Sequence, residues 1–373
     1  MVHRPTTPAE LAAIIGDAGG AGTTLAVAGS GSRPGMGPGD ADAVLDGTGI
    51  GGDIVHDAGE LLLTAPASAK LDELVALLAG AGQCLAFEPP APDAIWGKGY
   101  GTLGGAIASG LSGPRRAFAG AARDHVLEVR GVTGRGEIFR AGGKVLKNVT
   151  GFDLPRLLTG SRGSLAVLTE ITCKVLPLPP HEATLHLPAD TPERAVRLMA
   201  DALLVDGGIT GAAWADGAVH MRIEAGTALP ALMADLQARL PGGTVTEGAA
   251  SRALWAGIAS LAGHVQPRDI IWRCPLPASA APALAAQLPA SARLLLDWGG
   301  ALAWVLLPPD AADFDMHAAV TQAAGRDGHA VRLRGPESAI PARAPLDPAL
   351  AALNARVKAQ FDPAGILNPG LLP

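Results

Sequence analysis

Apolar positions in the first half of the chain switch repeatedly between a helical and a strand period. Leu11, Ile14 and Ile15 mark one side of a helix. Thr7 can cap that helix, Pro8 suits its first position, and Glu10 can complete a capping box. The glycines at 19, 20 and 22 are expected to stop it. Strands are predicted at 24–28, 43–46 and 61–65, with a helix opened by Ser68 and running to 78. This is a small β-α-β-type unit with a glycine loop, 29–37, after its first strand. An irregular glycine-rich stretch, 91–122, comes next. Strands are predicted at 125–133 and 137–141, a helical turn at 154–158, and a long strand at 165–176. Pro177, Pro179 and Pro180 form the clearest linker.

Beyond the linker a pattern occurs twice. Strand 182–187, helix 192–204, strands 211–215 and 218–224, helix 229–239 and strand 244–247 give β-α-β-β-α-β. A bridging helix is predicted at 250–262. Strand 269–276, helix 280–288, strands 293–298 and 301–307, helix 313–324 and strand 329–334 repeat the order. Each half reads as a split-βαβ, ferredoxin-like unit, and two such units can pair their sheets. The expected class is α+β, divided at 1–176, a cap at 177–340 and a tail at 341–373.

Composition narrows the function classes. A chain of 373 residues with 48% apolar and 17% charged residues suits packed domains. The net charge is −6, no block is basic, and 3% of residues are aromatic, so nucleic acid is not an expected partner. Cys84, Cys173 and Cys274 lie far apart, which excludes a disulfide framework or an iron–sulfur cluster built by this chain alone. They read as small buried hydrophobes. The N-terminus carries no apolar run of signal-peptide type, and no stretch reaches the roughly 18–20 apolar residues of a membrane span. A cytoplasmic location is expected, with any membrane attachment made peripherally through a partner.

Three glycine-rich segments could carry chemistry. In the first, Gly29, Gly31, Gly35 and Gly37 follow a strand. Glycine lets backbone N–H groups turn toward an anion and form a nest. The spacing is neither G-x-G-x-x-G nor a P-loop, and a plain Gly/Pro turn would look the same. The second runs from Gly99 to Gly113, with Gly-Gly-Ala-Ile-Ala-Ser at 104–109. Small side chains on either side of Ile107 would let a short helix lie against a long flat ligand, its N-terminus open to phosphate. A Gly/Ala packing contact is the alternative. The third comprises 142–153 and 160–169, where Lys144, Lys147 and Arg162 add positive charge or remain ordinary surface cations.

Four ordered strings then carry a resemblance: Gly-Thr-Leu-Gly-Gly-Ala-Ile-Ala at 101–108, Ala-Arg-Asp-His-Val-Leu at 122–127, Gly-Gly-Lys-Val-Leu-Lys-Asn-Val-Thr-Gly-Phe-Asp at 142–153, and Gly-Ser-Arg-Gly-Ser-Leu-Ala-Val-Leu-Thr at 160–169. With the ending Phe-Asp-Pro-Ala-Gly-Ile-Leu-Asn-Pro-Gly at 361–370, they resemble the FAD domain of the vanillyl-alcohol oxidase/PCMH superfamily. The length and the phrases at 271–277 and 296–301 are most similar to the FAD-binding (E-type) subunits of bacterial glycolate oxidases. The resemblance implies a PCMH-type FAD-binding domain of two α/β subdomains, and a cap like the C-terminal domain of FAD-linked oxidases. It implies that Gly29, Ser30, Gly31, Ser32 and Arg33 hold the pyrophosphate with Gly101, Thr102, Leu103, Gly104 and Gly105. Ala108, Ser109 and Gly113 would lie along the dinucleotide, and Arg123 with Asp124 would brace the loop. Gly163 and Val167 would offer backbone contacts, and Asn368 would return from the tail. The chain departs from the family at Ala28, often Arg, at Ser30 in the first loop, at Ser68, often Gly, and at Arg162, often Glu or Gln. Neither pyrophosphate loop contains histidine, and the second lacks cysteine, so FAD is expected to be non-covalent. A second flavoprotein subunit, an iron–sulfur subunit and a small 2-hydroxy-acid substrate are implied partners. A self-sufficient FAD-dependent 2-hydroxy-acid dehydrogenase and a non-catalytic scaffold with the same fold are the alternatives.

Oxidising a 2-hydroxy acid needs a base, a cation for the carboxylate and a hydride acceptor. None of the nine histidines sits in a cluster, and His181 and His186 should face opposite sides of one strand. Arg222 and Arg273 could grip a carboxylate, although a solvated strand face accounts for either. No metal-ligand spacing is present. No catalytic residue is assigned from the sequence.

Overall fold

The computed structural model describes residues 1–34, 40–91, 93–144, 151–205 and 208–371. Gly35, Gly37 and Lys147 fall outside these. Two compact units emerge. The first comprises Met1–Ser112, Gly120–Leu178 and Leu346–Pro373; the second comprises Gly113–Ala119 and Pro179–Pro345. Among the described residues no helix is long and apolar enough to cross a membrane.

The first unit contains β1 (Val2–His3), β2 (Leu25–Ala28), β3 (Ala43–Asp46), β4 (Val55–Asp57), β5 (Leu62–Pro66), β6 (Gln83–Cys84), β7 (Val126–Thr133), β8 (Ile138–Gly142), β9 (Ala166–Lys174) and β10 (Leu176–Pro177). Strands β1, β3 and β2 form a small parallel sheet in that order. Helix Pro8–Ala21 packs against it because Leu11 and Ile15, four apart, fall on one buried stripe. Each such side chain contributes roughly 1.5–3 kcal/mol when fully buried. The helix runs through Gly19 and Gly20 and stops at Gly22, whose φ of +68° closes the cap. Thr7 Oγ1 accepts from Glu10 N at 3.1 Å, but the Glu10 carboxylate reaches back to Thr6 N rather than to the cap residue. The antiparallel sheet β4-β5-β9-β7-β8 has its own core around Leu63, Leu74, Ile107 and Ile171.

The tail belongs to this unit. Helix Pro348–Phe361 had no sequence counterpart in the predicted elements, because Leu346, Leu350 and Leu353 stay exposed and blur its period. Beyond it, the buried Asp362 accepts from Ile366 N, Leu367 N and Lys358 Nζ. That carboxylate bends the chain so that Leu25 and Leu367 form a parallel bridge beside β2.

The second unit holds β11 (His181–Pro188), β12 (Ile209–Ala215), β13 (Ala218–Ala225), β14 (Thr244–Glu247), β15 (Ile270–Pro275), β16 (Arg293–Asp297), β17 (Leu302–Leu307) and β18 (Val331–Arg334). They form one sheet, ordered β14-β11-β13-β12-β16-β17-β15-β18. The two β-α-β-β-α-β halves join antiparallel at β12 and β16, where Trp214 pairs with Leu296. Met199, Met221, Leu236, Trp272, Leu284 and Val320 fill the core between one sheet face and the helices. Helix Gly248–Ser260 covers part of the other face through Trp255 and Ile258.

Candidate functional site

In the first unit, glycines fix how closely two loops meet. A Cβ at Gly29 would stand 3.0 Å from Thr102 Oγ1. Gly101 has φ +83°, and a Cβ there would overlap Ser32 Oγ. A Cβ at Gly105 would come within 3.3 Å of Arg33 Nη1. The loop after β2 therefore rests directly on the segment that opens helix Leu103–Ser109.

Above this contact lies a cavity of about 330 Å³, within the range of small-molecule sites. Of the residues singled out in the sequence, Gly29, Ser30, Gly31, Ser32, Arg33, Thr102, Gly104, Gly105, Ala108, Ser109, Gly163, Val167 and Asn368 line it. Gly101 stands behind the wall against Ser32, and Leu103 lies fully in the core. Arg123 is exposed, whereas Asp124 accepts from Ala121 N and pairs with Arg156 at 2.9 Å. Gly113 belongs to the second unit, where its carbonyl accepts from Trp298 Nε1 at 3.0 Å. Lys144 is exposed. Sequence reasoning missed the lining residues Ala26, Val27 and Ala67, which carry no polar chemistry. It named Ala28, Ser68 and Arg162 as departures, and Arg162 also as a positive charge or surface cation; all three line the cavity. Gly104 gave a usable signal: its Cβ would stand 2.8 Å from that of Ala67, so both positions must stay small.

The dominant charge in the wall is Arg33. It is 9% exposed, and its Nε and Nη2 are buried with no hydrogen-bond partner among the described residues. Nη1 donates to Ser32 Oγ at 3.3 Å. Burial pushes its pKa down to about 10, so the guanidinium stays charged at neutral pH. The exposed backbone of Gly29, Ser30 and Gly31 lines the cavity beside it. A buried cation with two unpartnered nitrogens is incomplete on its own, since such donors are costly to leave unpaired.

The N-terminus of helix Leu103–Ser109, expected to be open to phosphate, is not. Leu103 N donates to Ala69 O, Gly104 N to Ala67 O, and Gly105 N to Thr102 Oγ1. The chain itself satisfies the amides an anion would have used. The first loop is the remaining source of backbone donors.

Asn368 acts as a clasp. Its Oδ1 accepts from Val27 N at 2.6 Å, its Nδ2 donates to Arg162 O, and its own N–H donates to Leu25 O. Asn368 (φ +45°) and Arg162 (φ +56°) both hold left-handed backbone, which is costly for residues with a Cβ. The tail thereby fixes the Arg162–Gly163 turn in the cavity wall.

In the second unit, the reading of Arg222 as a solvated strand residue is corrected. It is 1% exposed, and the guanidinium stacks 4.7 Å from the Trp255 ring because helix Gly248–Ser260 covers that face. Its Nε donates to Thr210 Oγ1 at 3.1 Å, its Nη2 donates to Thr210 O, and Glu224 lies 3.6 Å away. Arg115 grips the same carboxylate through Nε and Nη2. Burial alone would raise the Glu224 pKa, but the Arg115 hydrogen bonds and the Arg222 charge hold it below the usual range. Nearby, His186 and His220 meet through their Nδ1 atoms at 2.8 Å, and His186 Nε2 lies 2.8 Å from Thr246 Oγ1. Burial, then the neighbouring ring, pushes the His220 pKa down to about 4. This is a satisfied neutral pair rather than a poised base.

Comparison with known proteins assigns the class. A family model described as an FAD binding domain matches residues 1–142. The fold also aligns with an alkyldihydroxyacetonephosphate synthase at TM-score 0.69 and 15% identity, covering 99% of this chain and 75% of that one. The chain is thus an FAD-binding-domain protein of PCMH type. It is 36% identical to glycolate oxidase subunit GlcE of Escherichia coli (strain K12), covering 93% of this chain and 92% of that protein, and belongs to its family. Shorter matches reach glycolate oxidase subunit GlcD of Bacillus subtilis (strain 168) and a D-lactate dehydrogenase of Archaeoglobus fulgidus. Each is 36% identical, covering 31% and 30% of this chain and 24% and 25% of those proteins.

Proposed function

We propose that this chain is the FAD-binding subunit of a glycolate oxidase complex, which oxidises glycolate to glyoxylate together with partner subunits. The observation that carries the reading is Arg33: a buried cation facing the cavity with two nitrogens unpartnered among the described residues, beside the glycine-rich loop that lines the same cavity. A diphosphate supplies the acceptors that arrangement lacks. Gly29, Ser30, Gly31, Ser32 and Arg33 would hold the pyrophosphate, with Thr102, Gly104 and Gly105 as the opposite wall. Ala108, Ser109, Gly163, Val167 and Asn368 would border the rest of the dinucleotide.

When bound, FAD supplies the two-electron acceptor for the α-carbon hydrogen of the hydroxy acid. This chain contributes binding and orientation. The Asn368 clasp keeps the Arg162–Gly163 turn in place, and the small residues Ala67 and Gly104 let the walls close on a flat ligand. Attachment is non-covalent, because the loops offer no histidine and the second no cysteine. A second flavoprotein subunit and an iron–sulfur subunit complete the complex; three scattered cysteines cannot assemble a cluster here. The complex is cytoplasmic and peripheral to the inner membrane through those partners.

The test is purification of the full chain alone and with its partners. The expected chain is yellow, releases flavin on acid precipitation, and supports glycolate-dependent dye reduction once partners are added. A colourless chain that cannot be reconstituted with FAD would overturn the reading.

A further inference from the structure

A lysine outside the cavity joins two parts of its wall. Ser161, Arg162, Gly163 and Asn368 line the cavity. Arg162 (φ +56°) and Gly163 (φ +71°) are consecutive left-handed residues. Such a turn persists only where its surroundings hold it. On one side, Gly160 N and Arg162 N donate to the carbonyls of Ile107 and Ala108, near the end of helix Leu103–Ser109. On the other side the turn presents carbonyls, and the tail takes two of them. Asn368 Nδ2 donates to Arg162 O, and Lys358 Nζ donates to Ser164 O at 2.8 Å.

Lys358 reaches further. Its ammonium also donates to Leu367 O at 3.1 Å and to Asp362 Oδ2 at 2.8 Å. An ammonium has three N–H donors, and all three are used. The two carbonyls it binds belong to neighbours of wall residues: Ser164 follows Gly163, and Leu367 precedes Asn368. The Lys358 side chain is 12% exposed and that of Asp362 is fully buried, so water competes little for these bonds. Asp362 has no room to move, because a Cβ on Gly134 would stand 2.6 Å from its Cγ. The turn has little slack either, since a Cβ on Gly163 would stand 3.0 Å from Asn368 Nδ2. The ammonium is the fixed point from which both wall segments hang.

We propose that Lys358 is a positioning residue for the bound cofactor. It acts through Asn368 and the Arg162–Gly163 turn, because one cation sets the spacing of the two segments. A ligand that borders both meets a wall already in place, and pre-organisation of this kind lowers the ordering cost of binding. A neutral, non-donating side chain cannot substitute, since it would leave Asp362 as an unpaired buried charge. The effect on FAD rests on the function proposed above, whereas the coupling of the two segments does not.

The test compares the wild-type full chain with Lys358→Met, Asn368→Ala and the double variant, by equilibrium FAD titration and by hydrogen exchange of the flavin-free chains. Lys358→Met should weaken FAD binding about tenfold, the scale of one charge-assisted hydrogen bond. Exchange should quicken roughly tenfold at residues 25–28, where Val27 N donates to Asn368 Oδ1, and at 161–168, with residues 62–66 of β5 unchanged. Because Lys358 acts through Asn368, adding Lys358→Met to Asn368→Ala should cost at most about threefold more. Losses that simply multiply would overturn the positioning role, as would equal exchange in Lys358→Met and wild type. Faster exchange at 62–66 as well would make Lys358 a general support of the fold and overturn it too. If Lys358→Met fails to fold, Lys358→Gln takes its place: it is one bond shorter and uncharged but still a donor, and should lose about threefold in FAD affinity. No loss in that variant would overturn the role. A wild-type chain that takes up no FAD overturns the function reading alone, and the exchange pattern still decides the coupling.

Discussion

The cavity wall of the first unit and the polar lattice of the second bury the same group in opposite ways. Arg222 sits in the lattice with Thr210, Glu224 and the Trp255 ring around it, and Arg115 closes the far side of Glu224. Arg33 sits in the cavity wall with one contact, to Ser32, and two buried nitrogens without partners among the described residues. Removing a charge from water costs several kcal/mol, so a chain keeps it only where partners repay the loss. Where the partners are in the fold, the arginine is structural. Where they are missing, a ligand must bring them. Burial alone does not separate the two cases; the hydrogen-bond inventory does.

The comparison can be broken from either side. Glu224→Leu removes the carboxylate that Arg115 and Arg222 share, and should cost about 3–5 kcal/mol in urea unfolding while leaving FAD bound per folded chain unchanged. A comparable loss of FAD would show that the lattice is not purely structural. Gly101→Ala should act the other way. Its φ of +83° and the Ser32 overlap impose roughly 1–3 kcal/mol of local strain. The expected result is a loss of FAD affinity of about tenfold, measured by equilibrium titration.

The His220–His186 pair sharpens the lattice side through pH. The folded pKa of His220 is about 4 against an ordinary 6.5. Between these values the unfolded chain binds a proton that the folded chain does not, so stability rises with pH by up to about 1.4 kcal/mol per unit. That stability is fully present above 6.5 and lost as the pH falls toward 4. His220→Asn should flatten the urea midpoint over this window. The smallest effect is expected of Trp255→Phe, which keeps an aromatic ring beside Arg222 but removes the indole bond to Thr184 Oγ1 at 2.8 Å. A loss of about 0.5–1.5 kcal/mol in thermal unfolding checks it.

Much of the fold was legible because its signals are local. The two β-α-β-β-α-β halves follow from alternation and helical spacing, and their merger into one sheet needs only that each exposes an edge. Gly29, Gly101 and Gly163 were legible as backbone requirements, since close approach or positive φ excludes other residues. What could not be read depends on partners distant in sequence. Alternation places Arg222 on a face but does not say that helix Gly248–Ser260 covers it. The amides of Leu103 and Gly104 looked available until the carbonyls of Ala69 and Ala67, more than thirty positions earlier, proved to take them. The Asn368 clasp joins residues 341 positions apart, and the motif hinted only that the tail returns. Ala67 offered no chemistry, so nothing but its fit against Gly104 marks it as a wall residue.

The central claim is that Arg33 is a ligand-completed cation. The direct measurement is equilibrium FAD titration of the flavin-stripped full chain, wild type against Arg33→Met, with urea unfolding of both apo-proteins. The account expects one FAD per wild-type chain, a loss of about 1.5–3 kcal/mol of binding in the variant, and an apo unfolding midpoint that does not fall. Unchanged FAD affinity together with a lowered midpoint would contradict it, because Arg33 would then be structural like Arg222.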